Sequence, residues 1–385
     1  MTDSTPIAAL AERLVNTEWD DTAEAAGMRT VVEGLGFGWT DTPDGARAAT
    51  PFAAGDARID RIADAPFDRR AEFAELAIPV LRTDGTALGH ARAFRHAADA
   101  VEGVLGRAVR MGSYGTRDPY GRPGARRGDW GAPYLRWECT AGHGAMLELT
   151  AGAEGPELLL RSTSRLFAMA HHWRYEGYLL TGFTGTCEED DEDADEYGAG
   201  TRPYIDEAGD WDDLRSALTE FLTVLPAELH ALGTSLALPL YAFLEAPQRT
   251  APLLFDLVCD GGSLLVGHYE PSAAAPARGG TPAELGWESA DLLPAGAVPE
   301  VRGRRLPWRT DLAVYGWGRA EVPPARWRID AGGPGEVRAA QVADLLVSTA
   351  RAAGVGTALN LLVGTEGERH PHFELAFPGL RLRVG

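Results

Sequence analysis

The residues that could do chemistry in this chain are few, and their spacing limits each of them. His370-Pro371-His372 would place two imidazoles on one side of a strand, as metal ligands must be, and follows Gly364 at the spacing that opens the cupin metal motif. The glutamate which that motif needs next would fall at 376 or 377, and those positions are Ala376 and Phe377. His171 and His172 are adjacent, so they point apart on a strand and about 100° apart on a helix, and one ion rarely takes both. No serine sits in a Gly-x-Ser-x-Gly frame: Ser235 and Ser263 each lack the second glycine. Gly34-Leu35-Gly36-Phe37-Gly38 has its third glycine misplaced for a dinucleotide fingerprint, and Gly354-Val355-Gly356 lies between a helix and a strand, the reverse of the required order. All 36 basic residues are arginine, so a P-loop, a Schiff-base enzyme and a kinase lack their lysine. With 56 acids, spacing cannot single out a glycosidase pair. These readings nominate no catalytic residue, no metal ligand and no cofactor.

Charge gives the next signal. The formal charge is −20, distributed as −5 over residues 1–187 (25 acids, 20 arginines), −10 over 188–210 (11 acids, 1 arginine) and −5 over 211–385 (20 acids, 15 arginines). A block of like charge repels itself and stays solvated, so the stretch opening Glu188-Glu189-Asp190-Asp191 reads as an acidic linker and as a candidate contact for a basic partner. It lacks the glycine and ligand spacing of a calcium loop. The opposite sign collects in the Gly/Pro-rich stretch 106–131, where Arg122, Arg126 and Arg127 stand with Tyr114, Tyr120 and Trp130 interleaved. Arginines and aromatics on flexible backbone can hold single strands, but the overall negative charge opposes a polyanion, so a surface loop is expected and nucleic acid is not.

The elements that would position these residues divide the chain into an N-terminal α+β domain (1–187), the linker (188–210) and a C-terminal α+β domain (211–385). Helices are expected over the start of the chain, from Asp20 to the glycines at 34–38, over Leu88–Leu105, over Trp211–Leu232 and over Val337–Ala353, each with apolar residues at helical spacing. Strands are expected near Leu135–Cys139, Met146–Thr150, Glu157–Thr163, Ser235–Leu244, Leu253–Cys259, Ser263–Tyr269, Asp311–Trp317, Ala358–Val363 and Phe373–Val384. Helices followed by meanders predict amphipathic helices packed on mostly antiparallel sheets. Trp287, Trp308 and Trp327 fall in Pro-rich loops and are candidates for a partner contact, because tryptophan is enriched in interface anchors. The three cysteines are few and scattered, and Cys139 and Cys259 read as buried thiols. The absence of a leader-like start and of any run of ~18 apolar residues leads us to expect a cytoplasmic protein that does not enter the membrane.

The segment Leu88–Arg165, with its helix and the strand Tyr134-Leu135-Arg136-Trp137-Glu138, is similar to domains of unknown function from high-GC bacteria, some encoded near polymorphic-toxin and secretion loci. The order of elements in the second half resembles small secretion-chaperone domains. The resemblance implies a toxin-neutralising immunity role or a chaperone role, and carries over no functional residue. The expectation is therefore a non-enzymatic protein-binding module with a basic protein partner; the alternative is a hydrolase with an unfamiliar site.

Overall fold

A computed structural model describes residues 5–17, 25–43, 45–60, 75–116, 130–139, 145–162, 182–186, 207–234, 236–242, 253–260, 262–269, 288–289, 327–363 and 374–384. Five α-helices and seventeen strands lie among them, and the class is α+β with two mostly antiparallel sheets.

The first sheet is two meanders joined back to back. Strands β1 (Gly38–Thr42), β2 (Gly45–Ala49), β3 (Ala57–Asp60) and β4 (Glu75–Pro79) run in sequence order. β4 then pairs with β8 (Pro156–Ser162), and the order reverses through β7 (Ala145–Ala151), β6 (Pro133–Glu138) and β5 (Arg110–Ser113) to β9 (Phe183–Thr186). The last strand of this sheet comes from the far end of the chain: β16 (Glu374–Ala376) pairs antiparallel with β9. The second sheet has the order β13-β14-β12-β11-β10-β15-β17, built from β10 (Leu236–Ala242), β11 (Leu253–Asp260), β12 (Ser263–His268), β13 (Glu288–Ser289), β14 (Trp327–Gly332), β15 (Leu361–Val363) and β17 (Arg383–Val384). Its β15–β17 pair is parallel, and every other pair in it is antiparallel.

Four helices form a row. Helix α1 (Thr5–Val15) packs on α3 (Ala87–Leu105), α3 on α4 (Trp211–Leu232), and α4 on α5 (Ala339–Ala352), while α2 (Ala25–Gly34) meets β1. α3 starts on an Asp84–Thr86 box: Thr86 Oγ1 accepts the Gly89 N–H at 3.0 Å, and Asp84 accepts the Thr86 N–H at 3.0 Å. α4 starts on Asp210, whose carboxylate accepts the N–H groups of Asp212 and Asp213 at 2.9 Å each. It ends on Gly233 in the left-handed region at φ 65°, where a side chain would strain the backbone. α4 touches both β6 of the first sheet and β11 of the second, and one continuous apolar core runs from Ile7 to Leu382.

Several expectations hold with shifted bounds. The helices at 88–105, 211–232 and 337–353 and the strands after 133, 145, 156, 236, 253 and 263 are present. The segment 358–363 is a 3-10 turn at Ala358–Asn360 followed by β15, and the final strand is broken by another turn at Pro378–Leu380. Two corrections concern loops. The stretch 106–131 contains a strand, β5, which pairs with both β6 and β9. Trp327 belongs to β14, where it pairs with Ser289 of β13 and His268 of β12, and not to a Pro-rich loop. The strand expected at 311–317 lies outside the described residues.

Candidate functional site

The first sheet presents its two faces to different environments. Along β4, β6, β7 and β8 the residues Leu76, Ile78, Leu135, Trp137, Leu147, Leu149, Leu158 and Leu160 join the helices in the apolar core. By the period of two, the alternating residues lie on the other face, and these include Glu75, Arg136, Glu148, Glu157 and Arg161. That face is buried as well: Glu148 is fully buried and Arg161 is 2% exposed.

Its charges are arranged as a ladder that crosses the strands. Glu75 on β4 lies opposite Arg161 on β8 in register, with Arg161 Nη2 3.0 Å from the carboxylate. Arg161 Nη1 reaches Glu148 on β7 at 3.3 Å, and Glu148 accepts from Arg136 Nε on β6 at 2.7 Å. Arg136 also donates to the Tyr114 hydroxyl at 2.5 Å and lies 4.4 Å over the Tyr134 ring, which in turn sits 4.7 Å from the Tyr114 ring. Beside this row, Arg58 on β3 pairs with Glu157 on β8 at 2.8 Å. Burial, as the largest cause, pushes the Tyr134 hydroxyl above its ordinary range, so it stays a neutral donor. Each buried charge faces an opposite one, which keeps desolvation from expelling it.

A second polar feature sits on the helix-facing side. Glu228, on α4 two residues after Pro226, is fully buried, and Ser113 at the end of β5 donates its hydroxyl to Glu228 Oε1. The Ser113 oxygen accepts the Gly115 N–H at 2.9 Å, which orients that hydroxyl, and the Ala132 N–H also serves the carboxyl. Glycine at 131 makes room for the Glu228 carboxyl, which a Cβ there would displace. Burial raises the Glu228 carboxyl to about 7, against the lowering effect of its two hydrogen bonds. Next to it, the Trp130 ring stacks on His90 of α3 at 5.3 Å. The Ser113–Glu228 pair has the groups of a nucleophile and a base, but both residues are at zero exposure.

Of the residues nominated from the sequence, Arg122, Arg126, Arg127, Trp287, Trp308, Glu188, Glu189, Asp190 and Asp191 lie outside the described residues, as do His171, His172, His370 and His372. The backbone of Trp327 is in β14. Cys259 is buried, as expected, and Cys139 is partly so; burial pushes the Cys139 thiol up to about 12, so it is inert at neutral pH. Among the described residues no group of three or more His, Cys, Asp or Glu could hold a metal ion, and no helix is long and apolar enough to cross a membrane. Sequence reading missed the ladder and Glu228. The available signal was a charged residue between or after leucines within a strand, as in Leu147-Glu148-Leu149 and in Leu159-Leu160-Arg161, and an acid on the apolar stripe of α4.

The C-terminal turn bonds to residues just before β9 and just before α4. Gly182, leading into β9, accepts the Gly379 N–H at 3.0 Å, and the Ala208 N–H donates to the Arg381 carbonyl at 3.0 Å. Phe377 at that turn packs 6.2 Å from Phe183 and 6.4 Å from Phe221 of α4, ring centroid to ring centroid. Compared with protein-family models, with curated proteins and with solved structures, the chain matches none.

Proposed function

We propose that this protein is a non-enzymatic, cytoplasmic protein-binding module, of an immunity-like or chaperone-like kind, whose acidic stretch 188–210 recruits a basic protein partner. The observation that carries this reading is the charge count: half of the net −20 lies in 23 residues. A dense negative field raises the association rate with a basic surface and discriminates against acidic partners. The described Ser113–Glu228 and Glu148–Arg161 pairs are buried, each bonded within itself.

The test is capture of a basic protein from an extract of the source organism at low salt, followed by association kinetics against salt. The quadruple variant E188Q/E189Q/D190N/D191N should associate about 10-fold more slowly at low salt while keeping the wild-type melting temperature. Recovery of no partner at low salt, or an unchanged association rate in the variant, overturns the reading.

A further inference from the structure

We propose that the seat of α4 on the first sheet is a proton-linked latch: Glu228 holds it in the neutral acid form, and loss of that proton loosens the junction between α4, β5 and the start of β6.

Three chain segments converge on one carboxyl group. α4 supplies Glu228, β5 supplies the Ser113 hydroxyl, and the approach to β6 supplies the Ala132 N–H and the side-chain-free Gly131. Oε1 takes the serine hydroxyl, whereas Oε2, also buried, has no hydrogen-bond partner among the described residues. A carboxylate accepts several donors, so an ionised Glu228 would keep one oxygen both desolvated and unserved.

Among the described residues, no cation pairs with the Glu228 carboxyl. Arg95 of α3 is committed to the Leu232 carbonyl at 2.8 Å, to Asp99 and to Glu102. Arg136 of β6 is committed to Glu148 and Tyr114 on the other face of the sheet. At the opposite end of α4, Arg215 pairs with Asp344 of α5, and Arg381, just past the Pro378–Leu380 turn, faces Asp213. On β11, Asp256 accepts from the Tyr269 hydroxyl. His90 of α3 lies against the Trp130 ring, and Glu220, on the same helix as Glu228, is occupied by Thr116.

The sign follows from linkage. Burial raises the folded carboxyl to about 7 from the ordinary carboxylate range, so between those limits the folded state binds more protons than the unfolded chain. The stabilising contribution of this group is full below the window, declines as pH rises through it, and is lost above about 7. The latch therefore acts near neutral pH, and it acts at α4, the helix that touches both sheets.

The test is hydrogen exchange of the full chain from pH 5 to pH 8.5, corrected for intrinsic rates, with denaturant midpoints in parallel. In the wild type, peptides covering α4 and β5–β6 should lose protection as pH passes through neutrality. Glu228→Gln, which keeps the acceptor for Ser113 and cannot ionise, should remove that dependence and be the more stable protein at pH 8. Ser113→Ala deletes a donor that favours the charged form, so its transition should move to higher pH. Should Glu228→Gln fail to fold, the wild-type profile and the direction of the Ser113→Ala shift still decide the matter. Parallel wild-type and Glu228→Gln profiles, no transition in the wild type, or a Ser113→Ala transition that is unmoved or lower would each overturn the latch.

Discussion

At the scale of single residues, the interior of this protein is unusual in that charge is stored on a buried sheet face. A buried ion pair gives little net stability compared with apolar residues of the same volume, but removing one member leaves its partner desolvated and uncompensated. Glu148 serves two arginines, so Glu148→Ala should destabilise by about 3–5 kcal/mol in denaturant unfolding. The double variant R136M/E148L should cost less than the sum of its two singles, because it removes the charge that each single would strand. Gly131→Ala forces a methyl group into the Glu228 carboxyl and should cost about 1–3 kcal/mol. Adding Glu228→Ala to that variant should recover part of the loss, which a double-mutant cycle on unfolding midpoints would show.

At the scale of elements, α4 is the piece on which the others depend. Its buried stripe includes Leu214, Leu218, Phe221, Leu222 and Leu225, and it packs against α3 on one side and α5 on the other. Pro226 removes one intrahelical hydrogen bond, and the hydroxyls of Thr219 and Thr223 bond to the carbonyls four residues back at 2.8 and 2.6 Å. These are features that bend helices, and they occur in the turns leading to Glu228. Phe221→Ala should cost about 3–5 kcal/mol through lost transfer energy and the cavity left behind. Because α4 contacts both sheets, amide exchange in that variant should rise in β6 and β11 together; a rise confined to one sheet would show that the two are stabilised separately.

At the scale of the whole molecule, residues 374–384 pair with strands of both sheets that are distant in sequence. β16 closes the edge of the first sheet against β9, while β17 pairs with β15 in the second. The turn between them carries Phe377, its Gly379 N–H donates to the Gly182 carbonyl, and the Arg381 carbonyl just past it accepts the Ala208 N–H. Deleting residues 374–385 should therefore raise amide exchange in β9 and at the start of α4, far away in sequence, as well as in β15. If the proposed partner docks on tryptophan anchors, Trp287→Ala or Trp308→Ala should speed its dissociation and leave salt-dependent association unchanged, the reverse of neutralising Glu188–Asp191.

The sequence by itself determined the class and the local elements whose information is local. The stripe Ala91, Phe94, Ala98, Val101 defines α3 without reference to the rest of the chain, and the alternation of Leu135 and Trp137 with Arg136 defines β6. Its composition also located the excess negative charge, since a count of acids needs no coordinates. β1 to β4 were not legible, because they are only four or five residues long, too short for a clear alternation, and β2, Gly45-Ala46-Arg47-Ala48-Ala49, carries no β-branched residue at all. β5 was hidden in a Gly- and Arg-rich stretch for the same reason. Only the tertiary structure decided that Arg136, Glu148 and Arg161 belong inside, and that Glu228 meets Ser113 across 115 residues of chain. Burial of a charge depends on a partner brought from another strand or helix, and no local pattern specifies which partner that will be.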